Sequence, residues 1–128
     1  DMARFGLFAG RNGAWGGKQL VSAAWFGKMT RPSQDLNKAY GYLWWLNGHP
    51  PLPMRGVNTA GGVMWPECPP DLFAALGAAD KKIYVVPSLD LVVVRHGGPA
   101  EPPGAGGLRG GLDRALIGRL CQAVRASS

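Results

Sequence analysis

The sequence is short of the residues from which most catalytic and metal centres are built. It holds two Cys and two His. Cys68 and Cys121 lie far apart and show no metal-ligand spacing, so no zinc site is expected. A disulfide between them is left open by the sequence. His49 sits between Gly48 and Pro50, and His96 ends a β-branched run. Neither has an Asp and a Ser close by in sequence, which gives no local frame for a His-based triad. There is no G-x-S-x-G turn. The glycines at 104, 106 and 107 precede no Lys-Ser or Lys-Thr, so they are not a phosphate loop. No apolar run approaches the ~20 residues that span a bilayer, and no basic–apolar–small leader pattern is present. Acidic residues are few beside basic ones, leaving a net charge of +6. That invites a nucleic-acid partner, but Arg4, Arg11, Lys18, Lys28, Arg31, Lys38, Arg55 and Arg95 are scattered singly. Only the Lys81-Lys82 pair is adjacent, which reads as a solvated basic surface and no nucleic-acid footprint.

What the chain does have is enough apolar residues, 46% of 128, for one domain or part of one with a modest core. The most ordered stretch is 72–96, LFAALGAADKKIYVVPSLDLVVVRH. It reads as strands at 72–77, 82–86 and 91–95, bounded by Gly, Pro, Asp and Ser. The connections Ala78-Ala79-Asp80-Lys81 and Ser88-Leu89-Asp90 are short, so the strands form an antiparallel meander.

Upstream, 1–32 reads as a helical segment. Asp1 is placed to cap a first helix whose apolar positions are Met2, Phe5, Leu7, Phe8 and Ala9, with Gly10 and Asn12-Gly13 ending it. A turn at 15–20 leads to a second helix with Ser22 as N-cap, stopped by Pro32. The aromatic run 40–46, YGYLWWL, predicts a strand entering a turn at Asn47-Gly48. A long Pro- and Gly-broken loop follows to Pro70, with a short dip into strand at 62–65. Downstream, 97–111 has the composition of a flexible Gly/Pro linker. Residues 112–125 read as a helix with a Leu116, Ile117, Leu120, Cys121 and Val124 stripe, wide enough to pack on a sheet. The fold class expected is α+β: an antiparallel meander with N-terminal helices and a C-terminal helix laid on the sheet.

In order along the chain, DMARFG, the GYLWW run, ALGAADKKIYVVP and SLDLVVVR resemble the serine β-lactamase and penicillin-binding-protein superfamily, closest to the class C β-lactamase-like hydrolases. The resemblance covers nearly the whole chain and is to the C-terminal portion of that fold. In that family a strand carries Lys-Thr-Gly or a degenerate small-x-Gly, and here Ala75-Leu76-Gly77 stands in its place. The resemblance implies that Ala75, Leu76, Gly77 and Ala78 border the substrate, with the Ala78 N–H completing an oxyanion hole. It also implies that Tyr42 and Trp44 line the cleft.

The family's nucleophile is a Ser with a Lys three residues on, one helical turn away, so that the amine takes the hydroxyl proton. No Ser of this chain has that Lys, and no Tyr-x-Asn/Ser follows the family's pattern. The resemblance places both motifs upstream of Asp1. A mature N-terminus, a cut or a truncated frame each account for the Asp1 start, and the resemblance favours truncation.

Ala75 replaces the family's Lys, which removes the charged partner of a substrate carboxylate and points to an ester or amide before a β-lactam. Asp80-Lys81 replace a common Gly-Gln, which alters the cleft rim. The implied partner is a small-molecule ester, amide or β-lactam, hydrolysed without metal or organic cofactor, in a periplasmic or secreted setting. The alternative is a non-catalytic remnant or binding module of the same fold. The strand at 91–95 is expected at the sheet border, where the isolated chain would self-associate, with 72–77 as the other edge.

Overall fold

The computed structural model describes residues 1–52, 62–98 and 111–127. In chain order the elements are α1 (Met2–Gly10), the short strands β1 (Ala14–Trp15) and β2 (Lys18–Gln19), and α2 (Ala23–Met29). Then come β3 (Trp45–Leu46), β4 (Phe73–Leu76), β5 (Lys82–Val86), β6 (Leu91–Arg95) and α3 (Gly111–Ala126). Among the described residues the class is α+β: three helices, a two-stranded sheet β1-β2, and a four-stranded antiparallel sheet ordered β3-β4-β5-β6.

The period-two alternation of the strands sorts the core into two layers. Leu72, Ala74, Tyr84 and Val86 face one way and pack with Trp65, Cys68, Ile117 and Cys121. Phe73, Ile83 and Val85 face the other way and pack with Ala9, Phe26, Trp44 and Leu46. The sheet is thus covered by α1 and α2 on one face and by α3 with the 62–72 segment on the other. α1 approaches closely because Gly6 has no side chain: a Cβ there would overlap Val92 Cγ1 and Ile83 Cγ2. Tyr84 meets Trp65 edge-on at 5.6 Å between ring centroids, a favoured aromatic geometry that adds to the area both rings bury.

Several boundaries differ from the sequence expectation for local reasons. Asp1 precedes α1 but its side chain caps nothing; it lies 3.7 Å from Arg4 instead. Phe5 is 49% exposed, so the buried stripe of α1 runs through Gly6 and Ala9. Ser22 caps α2 as expected, its hydroxyl accepting from the Trp25 N–H at 3.2 Å. The 40–46 run is not one strand. It folds back on itself: Leu46 N–H donates to the Ala39 carbonyl at 2.8 Å and Gly41 N–H to the Trp44 carbonyl at 2.9 Å. Tyr42 and Leu43 form the loop tip, with Leu43 at φ 65. Residues 62–65 form a bend and no strand, with Gly62 at φ +81. The 72–77 strand is shorter than expected and is Phe73–Leu76. It is also no sheet edge along its first half, because β3 pairs with it (Trp45↔Ala74, Leu46↔Phe73). In α3, Ile117 and Cys121 are fully buried, but Leu116 is 40% exposed, so the buried stripe is rotated away from it. Most of the expected linker at 97–111, and residues 53–61 of the long loop, lie outside the described residues.

Asn47 takes a role that its turn-like setting in the sequence did not suggest. It is 2% exposed. Its amide donates to the Trp65 carbonyl at 2.9 Å and the Pro69 carbonyl at 3.0 Å, and its Oδ1 accepts from the Trp65 N–H at 2.8 Å. One buried side chain therefore satisfies backbone groups that an irregular segment would otherwise bury unpaired.

Candidate functional site

The site begins with the direction of backbone groups along β4. In an antiparallel ladder successive residues turn their N–H and C=O to alternate sides. Gly77 N–H donates to the Lys81 carbonyl at 2.8 Å, so odd-numbered residues of β4 bond towards β5. The Leu72 carbonyl accepts from the Asn47 N–H at 2.9 Å, so even-numbered residues bond towards β3. The next outward groups are those of Ala74, covered by Trp45, and then those of Leu76. Opposite Leu76 the ladder would need Leu43, but Leu43 is in the loop tip at φ 65 and is 80% exposed. β3 therefore stops one pair short, and the outward side of Leu76 has no ladder partner among the described residues. An extended chain can pair with such an edge.

Beyond the strand end the chain makes a tight turn. Gly77, Ala78 and Ala79 are exposed, with Gly77 extended (φ −100, ψ 168). Ala79 (φ 50) and Asp80 (φ 61) are both left-handed, a conformation that costs an L-residue with a Cβ roughly 1–2 kcal/mol. A charged cluster under the turn holds it. Asp80 Oδ1 lies 3.0 Å from Lys82 Nζ, and Arg95 Nη1 donates to the Asp80 carbonyl at 2.8 Å. Lys82 is fully buried, on the same face as Tyr84 and Leu76. Sequence reasoning had placed Lys82 at a solvated strand start. The register Leu76↔Lys82↔Arg95 is what turns it inward. The Cβ of any residue put at 77 would stand 3.1 Å from the Lys81 carbonyl, so glycine there keeps the turn tight and does not clear the outer edge.

The expected cleft-wall residues part company. Trp44 is a core residue, 3% exposed, edge-on to Phe73 at 4.9 Å and stacked on Phe5 at 6.0 Å. Tyr42 is exposed at the loop tip, 5.6 Å from the Trp25 ring, with Lys28 Nζ 5.8 Å from its centre. It borders an open groove of about 640 Å³ with Lys28, Arg31 and Ser33. No hydrogen bond or ring contact among the described residues links Tyr42 to Ala75, Leu76, Gly77 or Ala78.

One Ser–Asp pairing was not visible in the sequence. The Asp71 carboxylate accepts from Ser88 twice, from its N–H at 2.7 Å and from its hydroxyl at 2.9 Å. His49 lines a small cavity of about 150 Å³ with Asp71. The acid bonds the hydroxyl directly, with no imidazole between them to carry the proton, so the arrangement ties a turn and is not a triad.

No protein-family model matches the chain, and no curated protein matches it. Among the described residues no helix is long and apolar enough to cross a membrane.

Proposed function

We propose that this chain is the C-terminal part of a serine β-lactamase-like hydrolase, and that it supplies the substrate-bordering strand and one oxyanion donor but not the nucleophile. The observation that carries the reading is the uncovered outward side of β4 at Leu76, continuing into the exposed turn at Gly77 and Ala78. An amide- or ester-bearing substrate in extended form pairs with Leu76, and the Ala78 N–H polarises its carbonyl as negative charge develops on the oxygen. The serine and its lysine come from the remainder of the protein. The substrate is an ester or amide, since Ala75 offers no cation to a carboxylate. A second reading, a binding module that uses the same edge without chemistry, is favoured by the lack of a Ser-x-x-Lys in these 128 residues.

The test uses the reading frame that contains these residues. A Ser-x-x-Lys and a Tyr-x-Asn/Ser should lie within about 250 residues upstream, a usual domain length. The expressed protein should then hydrolyse p-nitrophenyl esters and label on one serine with a fluorophosphonate. Ala78→Pro isolates the donor. Gly77 is extended and Ala78 opens the 3-10 turn, so proline fits the backbone there and deletes only the N–H. It should lower kcat by about 10²–10³, the scale of one lost oxyanion donor, with the unfolding midpoint unchanged. The 128-residue chain alone should not turn over nitrocefin or p-nitrophenyl esters. A complete frame without a labelled serine leaves the binding module; unchanged kcat in Ala78→Pro removes the turn from the site.

A further inference from the structure

We propose that Cys68 and Cys121 are a disulfide site, a cross-link that fastens α3 to the segment leading into β4. This inference is independent of the hydrolase reading. Both residues belong to one core cluster, at 6% and 0% exposure, and both are free thiols in this structure. Cys121 lies in the middle of α3, one turn after Ile117. Cys68 reaches that same turn: its Sγ donates to the Ile117 carbonyl at 3.6 Å. Burial, with the neighbouring Cys121 next, pushes the Cys68 thiol up from its ordinary range. Cys68 is held firmly on its own side. Its N–H donates to the Trp65 carbonyl at 3.0 Å, and Asn47 bonds both Trp65 and Pro69.

The chemistry balances with an oxidant of the disulfide class. One cysteine thiolate attacks the reagent's S–S bond and expels a thiolate. The second cysteine then attacks the mixed disulfide and expels the other. The protein gains one S–S bond and loses two hydrogens, and the reagent leaves as two thiols carrying the two electrons and two protons. A buried, protonated Cys68 is a poor nucleophile, so exchange is slow in the native protein and fast while the chain is folding. The bond closes a loop of about 50 residues, and an unstrained link over that length raises the unfolding temperature by on the order of 10 °C.

The experiment refolds the 128-residue chain in a mixture of reduced and oxidised glutathione. Intact mass, iodoacetamide labelling and non-reducing electrophoresis are then read on the monomer, with thermal melts taken with and without reductant. The expected result is a monomer lighter by two hydrogens, with no thiol that labels after denaturation. It should melt about 10 °C higher than the reduced form and lose that gain in reductant. Cys121→Ala, which keeps the position apolar, should melt at one temperature whatever the redox state. Three results would each overturn the proposal: two thiols that still label after oxidative refolding, cross-links only between chains, or an internal bond that lowers the melting temperature.

Discussion

Removing the charge of Asp80 while leaving its shape should be among the most damaging single changes available near the candidate site. Asp80 Oδ1 is 3.0 Å from Lys82 Nζ, Lys82 is fully buried, and the Asp80 side chain is itself only 17% exposed. At that separation the attraction is about 5 kcal/mol for an effective dielectric of about 20. Much of this offsets the cost of taking both ions out of water, so the pair adds little net stability. Breaking it from one side is different, because Asp80→Asn takes a carboxylate from beside a fully buried ammonium. The expected loss is about 3–5 kcal/mol. Asn tolerates the left-handed backbone of position 80, so the loss reports on charge and not on φ. Lys82→Met removes the buried cation together with its desolvation cost and fills similar volume. Asp80 keeps Arg95, whose Nη1 is 3.8 Å from Oδ2, and the variant should lie within about 1 kcal/mol of the parent. Urea unfolding followed by tryptophan fluorescence measures both variants, and the double variant gives the coupling. An Asp80→Asn loss below about 1 kcal/mol, or a Lys82→Met loss as large as that of Asp80→Asn, refutes the reasoning.

The strands at 82–86 and 91–95 were legible because β-branched runs between Pro, Ser and Asp have few other ways to bury themselves. The Ser22 cap was legible because a cap is a local hydrogen bond. What was not legible depends on partners distant in sequence. YGYLWWL has strand composition, but Gly41 sits where a Cβ would strike the Met29 carbonyl and come 2.8 Å from that of Arg31. The chain is therefore pinned against the end of α2 and must reverse at Tyr42-Leu43. Trp44 and Trp45 were expected to split between cleft and core, as adjacent strand residues do. Phe73 and Phe5, from two other elements, claim Trp44. Lys82 looked like a surface residue because nothing in KKIYVV says which lysine the register turns inward. At the candidate site, Ala75, Leu76, Gly77 and Ala78 were named from the family resemblance alone. That Leu76 faces outward and Gly77 bonds inward is a matter of ladder parity, and parity follows only from the observed pairing.

Gly41→Ala should cost about 2 kcal/mol or more in urea unfolding, as overpacking against rigid backbone does. It should also weaken the Tyr42 N–H bond to the Met29 carbonyl, now 3.0 Å, which amide exchange at Tyr42 reports. Alkaline pH should destabilise the protein. Burial, with Asp80 next, pushes the Tyr84 phenol up, and burial, with Cys121 next, pushes the Cys68 thiol up. The unfolded chain therefore sheds these protons first, and stability is lost as pH rises past the ordinary values of 9.0 and 10.0, by at most about 1.4 kcal/mol per pH unit for each group. Urea midpoints from pH 8 to 11 should fall in that order, and Cys68→Ala should delay the first fall. The remaining expectation concerns β6, the border of the four-stranded sheet. Parity carries across the ladder: Lys82, Tyr84 and Val86 bond towards β6, so Leu91, Val93 and Arg95 bond inward and Val92 and Val94 turn their N–H and C=O outward. An apolar border with two outward β-branched residues is a template for a second chain. The 128-residue chain should therefore self-associate through β6, and sedimentation should show mass rising with concentration. Proline discriminates between the two parities. Val94→Pro deletes an outward N–H, leaves the β5 ladder whole, and should hold the protein monomeric while it stays folded. Val93→Pro deletes an inward donor and should unfold the border strand. A parent chain that sediments as a monomer at every concentration, or a Val94→Pro variant that associates as readily as the parent, would place the contact elsewhere.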